Sequence, residues 1–211
     1  MSGARRGVVL DRDGTIIDFV RDEELGIVTP AFHPRQIRFL PGALEGMRWL
    51  AERGVTIAIA TNQPGAAKGQ IPRSAIEATN EALVARLRDE GIAIAKIEVC
   101  MHHPEGGPGG DPSLVMRCEC RKPRPGMILS IVRELALDPA RTFMVGDAMT
   151  DVEAGVSAGV STALVAEAGR CEVCPMKGSQ RGAPDVVAAR LDAIARAVVT
   201  LWGEADGGSI R

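Results

Sequence analysis

The chain has few aromatic residues, little net charge and no long apolar run, and each shortage excludes a class of function. Aromatic residues make up 3% of the 211 residues, which is too few for a surface that stacks nucleic-acid bases. The formal net charge is −2, so we expect no general attraction to nucleic acid or to an anionic membrane. No apolar stretch approaches the length of a membrane-spanning helix.

Cysteine usage and the first residues point to a reducing compartment. Five cysteines are an odd number, and the chain is not a small secreted domain, so we expect no disulfide framework. Only six residues precede the first strand-like segment, and they contain no apolar signal-peptide core. The sequence therefore predicts a cytoplasmic protein.

The composition is that of one folded domain. Apolar residues make up 45% and charged residues 25% of the chain, which is ordinary for a globular protein. The length allows one domain with a sizeable core, and no internal repeat divides it. We expect a single domain over residues 1–202, followed by a flexible tail at 203–211.

Residues 7–16, GVVLDRDGTI, carry the clearest motif. An apolar run ends at Asp11 and Asp13, which predicts a buried strand whose carboxyl end opens into a loop. Side chains two apart on an extended backbone point the same way, so both carboxylates should face one small space. Their repulsion calls for a divalent cation with oxygen ligands, usually Mg²⁺. A surface turn or a Ca²⁺ loop is the alternative, although neither explains the apolar strand.

Strand and helix patterns alternate along the chain, which predicts a doubly wound parallel α/β sheet with helices on both faces and no large cap domain. The later strands are expected at 55–60, 96–100, 142–145 and 162–165. The helices are expected at 42–53, 74–90, 126–137, 151–159 and 188–201. Residues 17–41 form a polar, irregular segment that is too long for a simple turn. Loops of this size are often functional lids, and an ordinary surface loop is the alternative.

Further polar side chains follow two of these strands. They are Thr61, Asn62 and Gln63 after the second strand, and Asp147 and Asp151 after the fourth. The carboxyl ends of parallel strands meet at one edge, so these groups should share a crevice with Asp11. Thr61 can offer a hydroxyl to a phosphoryl oxygen, although a polar turn explains the tripeptide alone about as well. Asp151 is expected either to cap the next helix or to support a metal site.

The DRDGT motif resembles the first motif of the haloacid dehalogenase (HAD) phosphatases. In that family the first aspartate attacks phosphorus, and the second protonates the leaving oxygen and later activates water. The resemblance implies these roles for Asp11 and Asp13. It also implies Mg²⁺ held by Asp11, the main-chain carbonyl of Asp13 and Asp147. Thr61 and Lys122, which resemble the second and third motifs, would hold the phosphoryl oxygens.

A cysteine- and histidine-containing loop at residues 100–122 follows the third strand. Its four candidate ligands are Cys100, His102, Cys118 and Cys120. Cys-x-His plus Cys-x-Cys supplies the four ligands of a closed tetrahedral Zn²⁺ site, and a metal would hold the Gly- and Pro-rich segment between them. Free cysteines with exposed histidines, or a redox pair, are the alternatives. The HAD resemblance favours His102 over His103.

The resemblance also implies which residues contact substrate: Arg12, Asn62, Gln63, Lys68 and Arg121. Arg121 resembles a residue that recognises a second anionic group, although a solvated Arg-Lys pair is the ordinary fate of such a dipeptide. The loop at 65–69 resembles that of sugar-phosphate members, with Lys68 where arginine is usual and Pro64 as a departure. Ala148 stands where a lysine is frequent.

The zinc loop narrows the resemblance to the histidinol-phosphate phosphatase and D-glycero-D-manno-heptose 1,7-bisphosphate phosphatase branch. The loop at 65–69 favours the heptose enzyme, which would hydrolyse the C7 phosphate of the bisphosphate. Separately, we expect a monomer with no nucleic-acid or membrane partner. Alternatives are a histidinol-phosphate phosphatase, a polynucleotide 3'-phosphatase and a non-catalytic zinc-bound binding module. Cys171 and Cys174 are expected to be an ordinary loop pair rather than half of a second metal site.

Overall fold

A computed structural model describes residues 5–167 and 182–205 of the chain. In chain order the strands are β1 (Arg5–Leu10), β2 (Val20–Asp22), β3 (Ile27–Thr29), β4 (Thr56–Asn62), β5 (Lys96–Cys100), β6 (Leu137–Gly146), β7 (Ser161–Val165) and β8 (Val186–Ala188). Six of them form one parallel sheet in the order β5-β4-β1-β6-β7-β8. Strand β1 lies at the centre of this sheet, between β4 and β6, and the DRDGT motif follows it directly.

Helices cover both faces of this sheet. They are α1 (Ala43–Ala51), α2 (Arg73–Asp89), α3 (Gly126–Glu134), α4 (Met149–Ala158) and α5 (Leu191–Ala205). Helices α1, α2 and α5 contribute to one apolar core, and α3 and α4 contribute to the core on the opposite face. The predicted doubly wound α/β fold is therefore confirmed. No helix among the described residues combines the length and the apolar character needed to cross a bilayer.

The central strands are apolar at successive positions because both of their faces are buried. In β4, Ile57 and Ile59 join the core under α1, α2 and α5, whereas Ala58 and Ala60 join the core under α3. This alternation follows from the two-residue period of a strand. A sheet that is covered on both sides exposes only its ends, and polar side chains collect there.

Three elements differ from the sequence-based expectations. The segment at 17–41 contains an antiparallel hairpin of β2 and β3 and is not simply irregular. Strand β8 was not predicted, and α5 begins after it at Leu191 rather than at 188. Helix α3 ends at Glu134, short of 137, and Ala136 then adopts a positive φ of 50° that no helix can continue. The end of a helix is hard to predict from the sequence when the apolar residues continue into the next strand.

The carboxyl-terminal helix is longer than expected. It continues to Ala205, so the first three residues of the expected tail are helical, and Trp202 on it is buried. The Trp202 ring packs edge-on against Phe143 of β6, with 5.8 Å between centroids. Residues 206–211 and the pair Cys171 and Cys174 lie outside the described residues.

We expect Trp202→Ala to lower the free energy of unfolding by about 3–5 kcal/mol, because it empties a packed site between α5 and the sheet. Urea denaturation followed by circular dichroism measures this. The neighbouring Leu201→Ala is the control, since Leu201 is 40% exposed and its truncation should cost less than about 0.5 kcal/mol. Equal effects of the two variants would show that α5 does not close the core.

Candidate active site and metal site

One edge of the sheet gathers most of the polar residues expected to form the site. Asp11 follows β1, Thr61 lies near the end of β4, and Asp147 follows β6. Together with Lys122 they line a cavity of about 160 Å³. Phe19 and Pro30, from the two ends of the hairpin segment, line the same cavity, so the hairpin stands directly beside the site.

Lys122 supplies the one positive charge that the structure pairs with these carboxylates. Its Nζ lies 2.7 Å from Asp11 Oδ1, 2.5 Å from Asp151 Oδ1 and 2.8 Å from the carbonyl oxygen of Ala60. Asp11 and the Ala60 carbonyl accept hydrogen bonds from the ammonium group, and Asp151 forms an ion pair with it. Burial alone would lower the pKa of Lys122, but the charges of Asp11 and Asp151 outweigh it and raise that pKa. Lys122 is therefore a fixed cation.

Asn62 fixes the main chain that carries this lysine. Its side-chain amide donates to the carbonyl oxygen of Lys122 over 3.0 Å and accepts from the Lys122 N–H over 3.1 Å. Such a two-way bond sets both position and orientation. Asn62 also lines the cavity, so the substrate contact expected of it stays a prediction, and its described hydrogen bonds connect the end of β4 to the segment after the cysteine loop.

Asp11, Asp147 and Asp151 form a carboxylate cluster whose nearest oxygens all lie within 4.8 Å of one another. Octahedral Mg²⁺ with ligands at about 2.1 Å needs oxygens roughly 3–4 Å apart, so the donor set fits a hard cation. Burial and the neighbouring negative charges raise the pKa of Asp147 to about 8. Burial also raises the pKa of Asp151, to about 6, although Lys122 opposes it. One lysine does not neutralise three carboxylates.

Asp151 makes the capping contact that the sequence left open and also pairs with Lys122, and its support of a metal site stays a prediction. Its Oδ2 accepts the main-chain N–H of Ala148 over 3.1 Å at the start of α4, which is a capping interaction. Its Oδ1 forms the ion pair with Lys122. The direct contact with Lys122 was not predicted, because sequence spacing does not show which strand end faces which.

Gly14 allows Asp147 to approach the DRDGT loop. Its φ of +81° lies in the left-handed region, and a Cβ there would stand 2.2 Å from Asp147 Oδ2. Both the turn and the close approach therefore require glycine at this position.

Asp13 lines the same cavity as Asp11, but its carboxylate does not belong to the cluster of Asp11, Asp147 and Asp151. Strand β1 ends at Leu10 and the chain bends at Arg12, so the two-residue period no longer applies. Its carboxylate accepts hydrogen bonds from Arg12, Gln63 and the Ala31 N–H. Asp13 still lines the cavity, and the metal contact expected of its main-chain carbonyl stays a prediction.

Arg12 and Gln63 were expected to contact substrate, and this stays a prediction. Arg12 is 0% exposed and Gln63 is 1% exposed, and neither lines the cavity, so the contacts described for them are to protein groups. Arg12 pairs with Asp13, and the Gln63 Nε2 donates both to Asp13 and to Thr61 Oγ1. A guanidinium this deeply buried needs its own counter-charge, and Asp13 provides it.

Lys68 and Arg121 both lie close enough to His103 for their charges to act on it. The positive charges of both lower the pKa of His103, after the larger effect of burial. The His103 Nδ1 accepts the N–H groups of Glu105 and Gly106, so the described ring holds the loop and does not join the cysteines. Arg121 donates to the carbonyl oxygen of His102 over 3.3 Å.

The loop that carries Lys68 packs backbone to backbone against the cysteine loop. A Cβ at Gly110 would stand 1.9 Å from the carbonyl oxygen of Ala67, and one at Gly107 would stand 2.6 Å from that of Lys68. The N–H of Asp111 donates to the carbonyl oxygen of Ala66 over 3.0 Å. Glycine in the cysteine loop thus allows that loop to support the position of Lys68.

The four residues predicted to bind zinc come together. Sulfur–sulfur distances among Cys100, Cys118 and Cys120 are 3.2–3.6 Å, and His102 Nδ1 lies 3.3 Å and 3.7 Å from two of the sulfurs. These sulfurs are too far apart for a disulfide, whereas tetrahedral Zn²⁺ with Zn–S near 2.3 Å needs sulfurs roughly 3.8 Å apart. Burial raises the pKa of Cys100, so the buried site disfavours the Cys100 thiolate when no cation is bound. The donor set fits a structural zinc ion.

Asn80 on α2 also belongs to the site, and the sequence interpretation missed it. It is 6% exposed and accepts a hydrogen bond from Arg12. The sequence pattern could have indicated it, because Asn80 lies on the same helix face as the buried Ile76 and Leu83. A polar residue inside an apolar stripe needs a partner.

Mg²⁺ should raise the melting temperature more at pH 8 than at pH 6. The raised pKa of Asp147 means that the folded state without metal gains a proton near pH 8, whereas an unfolded aspartate does so near 3.8. The stability that this proton provides is present at low pH and is lost as the pH rises through about 8. Mg²⁺ needs the ionised carboxylate, so protons compete with it at lower pH.

Thermal unfolding with Mg²⁺ and with EDTA at the two pH values measures the effect. Asp147→Asn is the matched control and should lose the pH dependence of the Mg²⁺ effect. A Mg²⁺ effect of equal size at both pH values in the unsubstituted protein would contradict this assignment.

Comparison with known proteins finds relatives that are similar in sequence. A family profile described as HAD-hydrolase-like matches residues 119–194. The D-glycero-beta-D-manno-heptose-1,7-bisphosphate 7-phosphatase of Escherichia coli K12 is 34% identical over 164 residues, which are 77% of this chain and 80% of the relative. The enzyme of the same name from Pasteurella multocida is 32% identical over 167 residues, 79% of this chain and 84% of the relative.

A solved structure agrees with these relatives. The D,D-heptose 1,7-bisphosphate phosphatase of B. bronchiseptica, complexed with magnesium and phosphate, superposes with a TM-score of 0.70 at 29% identity. The match covers 93% of this chain and 99% of that one.

Proposed function

Because this chain belongs to the HAD-like phosphatases, we propose that it is a Mg²⁺-dependent phosphomonoester hydrolase that uses Asp11 as its nucleophile. The observation that carries the proposal is the geometry around Asp11: its Oδ1 is paired with a buried lysine, and it lies in a carboxylate cluster that fits a divalent cation. An oxygen of Asp11 attacks phosphorus while the leaving oxygen departs with a proton from Asp13. Water then gives a proton to Asp13 and attacks the phosphorus, which releases inorganic phosphate and restores the Asp11 carboxylate.

The chain's own residues stabilise the charge that moves in these steps. Lys122 and the Thr61 hydroxyl donate to the phosphoryl oxygens, and both are held rigidly before substrate arrives. Asp11 and Asp147 would hold Mg²⁺, which when bound screens the phosphate from the carboxylates. Two like unit charges 4 Å apart cost roughly 4 kcal/mol at an effective dielectric of 20, so turnover should require the cation.

For the substrate, we propose a heptose 1,7-bisphosphate that loses its C7 phosphate. The names of the relatives support this choice. Lys68 and Arg121 lie close enough to act together on His103, which makes them suitable for the second phosphate. We further propose that the cluster of three cysteines and His102 holds structural Zn²⁺. A cytoplasmic location and a monomeric state stay predictions.

Asp11→Asn should lower turnover by at least about a thousandfold, because an amide cannot form the acyl phosphate. Phosphate release from the bisphosphate, measured with saturating Mg²⁺, tests this. Asp89→Asn is the matched control, since Asp89 is exposed at the end of α2, and it should be unaffected. A nearly active Asp11→Asn protein would exclude the proposed chemistry.

A substrate panel tests the proposed specificity. We expect the highest kcat/KM for one anomer of the heptose 1,7-bisphosphate, ahead of fructose 1,6-bisphosphate and histidinol phosphate, since only a heptose bisphosphate matches the relatives' substrate. Preference for histidinol phosphate would move the chain to the other branch while leaving the reaction type intact.

Cys120→Ser should release the zinc ion and lower activity by roughly tenfold or more, because Cys120 precedes Arg121 and Lys122 directly. Metal content by mass spectrometry and steady-state kinetics measure the two effects. Ser113→Ala, in the same loop and exposed, is the control. Zinc loss with unchanged kinetics would show that the loop does not position the lysine.

A further inference from the structure

The proposed general acid is held by an unusually complete set of hydrogen-bond donors. Asp13 Oδ2 accepts from Arg12 Nε over 2.9 Å and from Gln63 Nε2 over 2.6 Å. Its Oδ1 accepts from Arg12 Nη2 and from the Ala31 N–H, each over 3.2 Å. Because each oxygen accepts from two donors, the carboxylate cannot rotate without breaking hydrogen bonds. These donors therefore fix its orientation.

Arg12 is the largest contributor, and four of its five N–H bonds have a described partner. It is 0% exposed, its Nε and Nη2 face Asp13, and Nη2 also donates to the carbonyl oxygen of Ala31 over 3.0 Å. The remaining nitrogen, Nη1, donates to Asn80 Oδ1 over 2.6 Å. A buried guanidinium needs partners for its N–H groups, so Asn80 determines how the whole group is rotated.

Asn80 lies on α2, far from Asp13 in sequence and outside the cavity that holds the reacting groups. The only hydrogen bond described for its side chain is the one to Arg12. Its amide oxygen therefore anchors a three-residue chain from α2 through Arg12 to Asp13.

We propose that Asn80 is a positioning residue for general acid catalysis, which acts through Arg12 to aim the Asp13 carboxyl group at the leaving oxygen. This inference rests on the proposed function. Without the Asn80 oxygen, Arg12 Nη1 loses its partner and the guanidinium turns to find another, so Asp13 turns with it. Displacements of about 1 Å in a catalytic group are enough to lower a rate a hundredfold.

The test compares substrates that differ in their need for an acid. A sugar phosphate releases an alkoxide and needs a proton from Asp13, whereas p-nitrophenyl phosphate releases a stable phenolate and does not. We expect Asn80→Ala to lower kcat/KM for the heptose bisphosphate by about tenfold to a hundredfold, and for p-nitrophenyl phosphate by less than about threefold. The parameter kcat/KM reports cleavage of the substrate bond and excludes later hydrolysis of the acyl phosphate.

Three further variants make the result specific. Thr79→Val changes the adjacent buried residue, whose hydroxyl bonds only to Ala75, and should alter neither rate. Asn80→Asp keeps an acceptor for Arg12 and should retain the substrate ratio of the unsubstituted protein. Asp13→Asn should show a larger loss of the same selective kind. Adding Asn80→Ala to Asp13→Asn should not change the ratio of the two kcat/KM values any further.

Several outcomes would overturn the inference. An equal loss on both substrates would make Asn80 merely structural, and an unchanged ratio would show that Arg12 holds Asp13 without it. If Asn80→Ala does not fold, Arg12→Lys, which keeps the charge but cannot bond to Asp13 and Asn80 together, must show the selective loss. Failure of the unsubstituted protein to hydrolyse either substrate with Mg²⁺ would instead refute the proposed function.

Discussion

The charge balance around the ammonium group of Lys122 is the constraint on which the site depends. This group is buried among Asp11, Asp151 and a carbonyl oxygen, and Asp147 stands beside them. Three carboxylates and one lysine leave an excess of negative charge in a buried space, and the raised pKa of Asp147 expresses that excess. A divalent cation removes it, and the same arrangement then accepts the dianion of a phosphate ester.

The rest of the fold holds this arrangement in place. The parallel sheet brings the ends of β1, β4 and β6 together, and Asn62 connects β4 to the main chain of Lys122. The cysteine loop ends directly before Lys122 and packs against the glycine loop that carries Lys68. A metal in the cysteine loop would therefore stiffen the catalytic cation and the proposed second-phosphate contact at once.

The sequence predicted those residues whose position follows from a strand end. Asp11, Thr61 and Asp147 lie where the rule for parallel sheets expects them, and the metal-binding pattern of Cys100 to Cys120 gathers as its spacing indicates. The rule does not show which protein groups Asp13, Arg12 and Gln63 contact. Their directions depend on a bend after β1 and on Asn80, a partner 68 residues from Arg12, and neither is encoded in local spacing. The hairpin and β8 were missed because strands of three residues carry too little periodicity.

Trapping the covalent intermediate tests the central claim most directly. Enzyme quenched during turnover of a sugar bisphosphate and reduced with borohydride should contain homoserine in place of aspartate at residue 11, as peptide mass spectrometry would show. The reduction should require Mg²⁺ and substrate, and it should spare Asp13, Asp147 and Asp151. Reduction at one of those residues instead, or none at Asp11 while phosphate is being released, would contradict the account.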